Sequence, residues 1–192
     1  GLAWMRRINE RWMLRIFTSV ALATDNHNTS SDAWQFRGGL FAMHQPKPEL
    51  TWLFGALALG RNDIPVVPAA GVIWNSHARL KFDLILPKPK IAYLLSEKEM
   101  RQSWAFLGMG LNGGTWGYEQ SEGINDQLTY RDWRVVLGWE SIPAPKPRMP
   151  FAPGRKFGIE VGYAFGREYE FKSNLPDFDL DNTLMLRTML SF

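Results

Sequence analysis

Ten charged side chains recur within segments that alternate between apolar and polar residues. Successive residues of a β-strand point to opposite faces, so these charges would lie opposite the bulky apolar side chains. Charges on the inner face of a β-barrel can set ion selectivity, and we interpret the set as facing a lumen. It comprises Arg15, Arg37, Lys81, Asp83, Asp132, Arg134, Lys156, Glu160, Glu168 and Arg187.

The same charges could instead pair with one another and fill the lumen. Asp132 and Arg134 share one predicted strand. Glu160 and Arg187 lie on the two strands that follow, so opposite charges come within reach of each other across neighbouring strands. A barrel of about twelve strands leaves little open space, which slightly favours structural pairing over ion flow.

An acidic run near the C-terminus has the spacing of the first ligands of a calcium loop. Asp177, Asp179 and Asp181 fit the pattern, but Asn182 replaces its glycine and Thr188 replaces its bidentate glutamate. We therefore expect a solvated acidic loop and no metal. A loose external calcium site is the alternative.

Two other patterns suggest chemistry but lack its structural context. Residues 108–113 match a dinucleotide-binding glycine pattern, yet a strand-like segment follows where a helix must begin. The glycines therefore predict lumen crowding or strand bending, and no cofactor. His27 lies near Ser30 and Ser31 in a polar loop, but no nucleophile-elbow pattern is present. We expect no enzyme, with an outer-membrane lipid hydrolase as the alternative.

Alternation with a period of two predicts the elements that carry these residues. It is clearest over 157–165, where bulky apolar residues alternate with small ones and one glutamate. Residues 1–192 are predicted to form a single domain, an antiparallel up-and-down transmembrane β-barrel of about 10–12 strands. The predicted strands are 1–7, 11–24, 32–44, 49–60, 65–74, 78–86, 90–96, 102–118, 127–140, 155–171 and 182–192.

Composition narrows the possible partners. The net charge of +3 comes without a basic cluster, which argues against nucleic acid, and the absence of cysteine excludes disulfides and thiolate chemistry. Nine tryptophans, many near predicted strand ends, resemble the aromatic girdles of membrane barrels. A small-residue inner face also favours a bacterial outer membrane, with the lipid bilayer as partner, over a soluble ligand-binding barrel.

The last predicted strand resembles the C-terminal signal that the barrel-assembly machinery recognises in outer-membrane proteins. Its apolar face ends in an aromatic residue and consists of Leu184, Leu186, Thr188, Leu190 and Phe192. Bacterial single-chain barrels have an even number of strands. Eleven candidates therefore predict a further strand before Gly1, and we expect an export signal to have been removed.

Four segments, in their order along the chain, resemble an uncharacterised family of predicted outer-membrane β-barrels. They are Arg79–Lys90, Gly113–Trp116, Leu128–Arg134 and Gly162–Arg167. The resemblance covers roughly residues 50–192. It implies the fold and the location but no activity, so no catalytic residue is carried over. The expected function is a narrow pore for small solutes or ions, or a structural barrel.

Overall fold

The computed structural model describes residues 1–28, 30–61, 63–98, 100–120, 123–144, 155–173 and 175–191. Over these residues the chain forms one antiparallel sheet of twelve strands, and a short 3-10 turn, Ser31–Ala33, precedes β3. The strands are β1 Leu2–Arg7, β2 Trp12–Leu22, β3 Trp34–Lys47, β4 Leu50–Ala58, β5 Val66–His77, β6 Leu80–Ile85, β7 Lys90–Lys98, β8 Arg101–Glu119, β9 Asn125–Pro143, β10 Lys156–Phe171, β11 Phe178–Leu180 and β12 Thr183–Ser191. The predicted all-β, antiparallel up-and-down architecture is confirmed.

The strands β11 and β12 are two parts of one broken strand. Leu180 lies opposite Arg167 and Thr183 lies opposite Ala164, so both parts pair with β10 in one continuous register. The sheet is not closed, because within the described ranges β1 pairs only with β2 and β12 pairs only with β10. The expected strand before Gly1 concerns residues outside this chain and stays a prediction.

The connections differ between the two ends of the sheet. At one end, which we call the short-turn end, 8–11, 48–49 and 78–79 join neighbouring strands. The longer connection 144–155 lies at this same end, although most of it is outside the described residues. At the opposite, long-loop end, the connections 23–33, 59–65 and 120–124 are longer.

The two faces of the sheet have opposite character, as the alternation predicts. Large apolar side chains on one face are exposed, whereas the other face buries polar groups such as Gln35, Asp132 and Glu160. We call the polar face the inner face. The exposed apolar residues include Trp12, Ile16, Val20, Phe36, Leu40, Trp52, Phe54, Trp74, Leu107, Leu137, Val161, Leu184 and Leu186.

The sheet curls toward its inner face, and the connection 23–33 crosses to a distant strand. Gly117 of β8 donates its N–H to the carbonyl of Ala23 (2.9 Å) and accepts from the N–H of Asp25 (3.2 Å). A Cβ at Gly117 would lie 3.0 Å from the Cα of Ala33, so the absence of a side chain permits this approach. The described part of the chain contains no helix long and apolar enough to span a membrane.

Candidate lumen and binding cavity

A cavity of about 580 Å³ lies against the inner face of the N-terminal strands. Its walls are mostly apolar because β2, β3, β4 and β5 each place hydrophobic residues at the inward positions of their alternation. Its apolar lining includes Phe17, Phe41, Met43, Leu53, Leu57, Ala69 and Ile85. A volume of this size falls in the range of small-molecule binding sites.

Four basic residues, Arg15, Arg37, Arg61 and Lys88, also line this cavity, and none of its described lining residues is a carboxylate. The guanidinium of Arg15 lies 5.9 Å from the centre of the ring of Phe17. The guanidinium of Arg37 donates to the side-chain oxygen of Gln35. Neither arginine has a carboxylate partner among the described residues, so two exposed cations line this mostly apolar cavity without a counter-charge.

The other two cations of the cavity are already engaged. Arg61 forms a buried ion pair with Asp63, in which Nη2 lies 2.5 Å from Oδ2. Lys88 donates from Nζ to Oδ1 of Asn112 over 2.8 Å. The sequence interpretation omitted Arg61 and Lys88 because both lie in connections between strands, where the alternation gives no signal.

The inner face of the C-terminal strands carries paired charges instead. The carboxylate of Asp132 is almost fully buried and accepts from Nε of Arg134 (2.8 Å) and from the hydroxyl of Tyr130 (2.7 Å). Glu160 is equally buried and lies 2.7 Å from Nε of Arg187.

A third ion pair joins Lys90 on β7 to Glu140 on β9, with Nζ 2.9 Å from Oε1. Lys90, Glu140, Glu160, Arg134 and Arg187 together line a smaller cavity of about 220 Å³. Opposite charges therefore satisfy one another in this half of the sheet.

The structure also places the remaining charges of the predicted lumen set. Lys81 and Asp83 share the inner side of β6 with Ile85, which lines the larger cavity. Lys156 is exposed at the start of β10. Glu168 follows a register shift between Phe165 and Glu168 and accepts from the guanidinium of Arg131. The sequence did not indicate Arg131 as a partner, because an irregular register cannot be read from alternation.

A polar cluster closes the inner side near the long-loop end. The fully buried Asn28 donates to the carbonyls of Tyr118 (3.1 Å) and Asp126 (3.2 Å). The Asp126 carboxylate accepts from the hydroxyls of Tyr118 (2.7 Å) and Ser173 (2.8 Å). These bonds fix the connections 23–33 and 172–177 to the adjacent ends of β8 and β9.

Asp25 fastens the connection 23–33 to this cluster. Its Oδ1 accepts the N–H groups of Asn28 and His27, each over 2.9 Å, and its Oδ2 accepts the N–H of Glu119 over 3.0 Å. These bonds favour the charged form, and the N–H of Asn28 contributes most to lowering the pKa of Asp25 to about 2.

The glycine-rich segment of β8 provides room for close approach and bending. A Cβ at Gly110 would lie 2.7 Å from the carbonyl oxygen of Pro87, so the turn 86–89 needs this glycine to lie against β8. Gly113 has a φ of +142°, and a Cβ there would lie 2.6 Å from Nη1 of Arg61. The strand structure on both sides agrees with the interpretation that these glycines relieve crowding and bend the strand.

The three histidines lie at different ends of the sheet. His27 is in the connection 23–33 at the long-loop end, whereas His44 and His77 lie toward the short-turn ends of β3 and β5. The ring of His44 lies 4.5 Å from that of Trp12. This distribution does not bring His27 together with the other two.

The structure places the acidic run along and beside a strand. Asp177 accepts the N–H of Phe171 (3.0 Å), Asp179 lies in β11 opposite Glu168, and the carbonyl of Asp181 accepts from Arg167 (2.6 Å). Among the described residues, no three side chains of His, Cys, Asp or Glu are grouped to hold a metal ion.

The apolar face of β12 is highly exposed. Leu184, Leu186 and Leu190 are 82%, 69% and 59% exposed, and Thr188 is exposed beside them. Phe192, the last residue of the predicted assembly signal, lies outside the described residues. Recognition by an assembly machinery stays a prediction.

A family model described as a domain of unknown function, DUF6268, matches residues 1–175 of the chain. The resemblance to an uncharacterised family is therefore confirmed. The match begins at the first residue rather than near residue 50, and it includes all strands from β1 to β10. No curated protein and no solved structure matches the chain.

Proposed function

The chain belongs to the DUF6268 family, and on that premise we propose that it is a non-enzymatic protein of the bacterial outer membrane. In this proposal the sheet closes into a barrel that crosses the bilayer, and its narrow inner space takes small anionic solutes. The lipid bilayer is then its permanent partner. The barrel-assembly machinery is a transient partner, which recognises the apolar face of β12.

One observation carries the proposal, namely the outward exposure of the apolar face together with the burial of the polar face. A soluble antiparallel sheet packs its apolar face against a core and leaves its polar face in water. Here Phe36 is 68% exposed and Trp34 is 50% exposed, whereas Asp132 is 1% exposed. A surface of this kind is stable when hydrocarbon covers it, because lipid replaces water at the apolar side chains.

Strand length and connection length agree with a bilayer crossing. A tilted strand crosses a bilayer with about 9–11 residues. β2 has 11 residues, and β4 and β12 have 9 each. Bacterial outer-membrane barrels have short periplasmic turns and longer external loops. The connections 23–33, 59–65 and 120–124 exceed 8–11, 48–49 and 78–79, so the long-loop end is assigned to the outside, and 144–155 is then a long connection on the periplasmic side.

Exposed aromatic side chains form a row near the short-turn end, as interfacial belts do. Trp12 begins β2, Trp52 lies near the start of β4, and Trp74 lies near the end of β5. All three are exposed on the apolar face. Trp34 and Trp116 are exposed toward the other end. Two aromatic rows at opposite ends of the strands suit the two interfaces of one bilayer.

The charges favour anions among small solutes. Arg15 and Arg37 face the larger cavity without carboxylate partners in the described part of the chain, whereas the charges of the C-terminal strands pair. Basic side chains that line a pore favour anions. The exposed apolar face argues against the alternative of a soluble ligand-binding barrel. The hydrolase alternative has no support from the separated positions of His27 and His44.

The membrane part is tested by behaviour in detergent. We expect the protein to need detergent or lipid to remain monodisperse, and to insert into vesicles as a β-sheet measured by circular dichroism. A protein that is monodisperse without detergent would contradict the membrane location. A second test of the membrane location is the fluorescence of the nine tryptophans, which brominated lipid should quench.

The solute part is tested by conductance in a planar bilayer. We expect small, anion-selective currents, and loss of selectivity in the double variant Arg15→Gln/Arg37→Gln. Lys90→Gln removes a paired cation of the other half and serves as the control. A folded, inserted protein that gives no current, or a current with no preference for anions, would contradict this part while leaving the membrane location intact.

A further inference from the structure

The strands β6 and β7 are much shorter than their neighbours toward the long-loop end. β5 pairs with β6 only from Gly71 to His77, and β8 pairs with β7 only from Arg101 to Gly108. One further bond follows on each side, from Leu86 N to Ala70 O (3.1 Å) and from Met109 N to Pro89 O (3.0 Å). Beyond these bonds, toward the long-loop end, the described part of the sheet has no strand between β5 and β8.

This interruption has a floor, two sides and a roof, and we call it the wall opening. The turn 86–89 forms its floor, while 66–69 and 109–113 form its sides. The roof consists of Arg61, whose Nη1 lies 3.4 Å from the carbonyl oxygen of Asn112, and of 23–25, which bonds to Gly117. The wall is therefore closed above and below the opening.

The wall opening leads into the larger cavity. The lining of that cavity includes Leu86 and Lys88 from the floor, and Ala69 and Leu111 from the two sides. It also includes Phe17 and Leu57 from the opposite wall. Leu86 is 59% exposed, so the floor presents an apolar side chain at the outer surface as well. One space thus extends from the lipid-facing side to the deep inner wall.

The chemistry of the space combines an apolar body with a cationic end. The apolar walls favour a hydrocarbon chain, because its transfer from water is favourable. Arg15 and Arg37 offer guanidinium groups, which bind a carboxylate through paired hydrogen bonds. The described lining contains no carboxylate that would compete for them. A neutral hydrocarbon would leave both cations without an anionic partner.

We propose that the cavity binds one single-chain carboxylate amphiphile, of the chemistry of a long-chain fatty acid, and that this ligand enters from the membrane through the wall opening. The inference rests on the proposed function, because the wall opening faces lipid only if the apolar face lies in a bilayer. It deepens that function by naming the anion. A cavity of about 580 Å³ suits one small-molecule ligand.

The ligand is tested with a nitroxide-labelled stearic acid and its methyl ester, using the full chain in detergent micelles. We expect a saturable, immobilised spectrum for the acid at one per protein, and at least about tenfold weaker binding of the ester, since a charge-assisted hydrogen bond is lost. Arg15→Gln/Arg37→Gln should weaken binding of the acid by about tenfold or more. Lys90→Gln should leave it unchanged.

Equal binding of acid and ester, or unchanged binding by the arginine double variant, would overturn the carboxylate assignment. Saturable binding of a two-chain phosphatidylglycerol in preference to the acid would overturn the single-chain assignment. Circular dichroism shows whether each variant folds. A protein that inserts into vesicles but binds no acid refutes this inference alone, whereas a protein that needs no detergent refutes the proposed function.

The route is tested by blocking the floor of the wall opening, using the absence of native cysteine. Leu86→Cys carries a bulky maleimide at the floor of the wall opening. Leu95→Cys is the control and carries the same maleimide on the exposed face of β7, away from the opening. In vesicles that contain the nitroxide-labelled acid, we expect the acid to enter the cavity at least about threefold more slowly in maleimide-labelled Leu86→Cys. The rate in maleimide-labelled Leu95→Cys should not change. Equal loading of both labelled variants would overturn the lateral route.

Discussion

Charged side chains are arranged differently on the inner face of the N-terminal strands and on the inner face of the C-terminal strands. Between β2 and β5, the inward side chains are mostly apolar, and Arg15 and Arg37 face a cavity of about 580 Å³. Between β8 and β12, the buried carboxylates Asp132 and Glu160 each have an arginine partner, and the remaining cavity is about 220 Å³. The same alternation of residues along the chain therefore builds two different interiors.

The difference shows what a charge on an inner face does once its neighbours are known. A buried carboxylate beside an arginine is satisfied internally, so it fills space and holds neighbouring residues or strands together. An arginine that lies among apolar side chains and has no carboxylate partner has N–H donors available to an anionic ligand. Function is therefore expected in the N-terminal half, and stability of the sheet in the C-terminal half.

The largest expected effect breaks a buried pair of the C-terminal half. Arg134→Gln leaves the carboxylate of Asp132 buried without its cation, and we expect the free energy of unfolding to fall by about 3 kcal/mol. Arg15→Gln is the matched change in the other half, and because it breaks no ion pair we expect a change within about 0.5 kcal/mol. Urea unfolding in vesicles, followed by tryptophan fluorescence, measures both. Equal effects would contradict the difference between the two halves.

A smaller effect is expected at Gly113 of β8, which lies close to Arg61 and to Tyr130 of β9. Gly113→Ala adds a Cβ that would lie 2.1 Å from the carbonyl oxygen of Tyr130, so we expect a loss of about 2 kcal/mol. Gly123 also has a positive φ, of +75°, but a Cβ there would meet its nearest atom at 3.9 Å.

Gly123→Ala therefore separates backbone strain from crowding, and we expect it to cost about 1 kcal/mol in the same unfolding measurement. If Gly113→Ala cost no more than this control, the close approach of the Tyr130 carbonyl to Gly113 would be wrong.

The smallest effect concerns the link between the two halves at Asp25. Its carboxylate accepts three backbone N–H groups, which holds its pKa at about 2, below the ordinary value of 3.8. Because the folded pKa is lowered, this link is complete above about pH 4 and is lost as the pH falls toward 2. We expect a nitroxide on His27→Cys to become more mobile over that range.

Asp25→Asn should make the same nitroxide mobile at neutral pH, since an amide oxygen cannot replace both carboxylate oxygens as acceptors. A nitroxide on Lys98→Cys, at the short-turn end, is the control and should not respond. Mobility at His27 that begins to rise above pH 5 would show that another group controls the link.

Much of the strand pattern could be predicted from the sequence, because a period of two is a local property. The segment 157–165 illustrates this, since Ile159 and Val161 are exposed while Glu160 between them is buried. The predicted strands at 65–74 and 90–96 correspond to β5 and β7, and β5 continues through Pro68, which lies opposite Ala56. Residues of the candidate site in connections, such as Arg61 and Lys88, could not be found, because a turn has no alternation to read.

The sequence alone determined the strands other than β11, their up-and-down order and the opposite character of the two faces, because alternation and turn residues act over a few neighbouring positions. Only the tertiary structure decided which charges pair and which remain available. Arg134 meets Asp132 and Arg187 meets Glu160, whereas Arg15 and Arg37 face an apolar cavity. That outcome depends on register, strand length and the curl of the sheet, which bring together residues far apart in the chain.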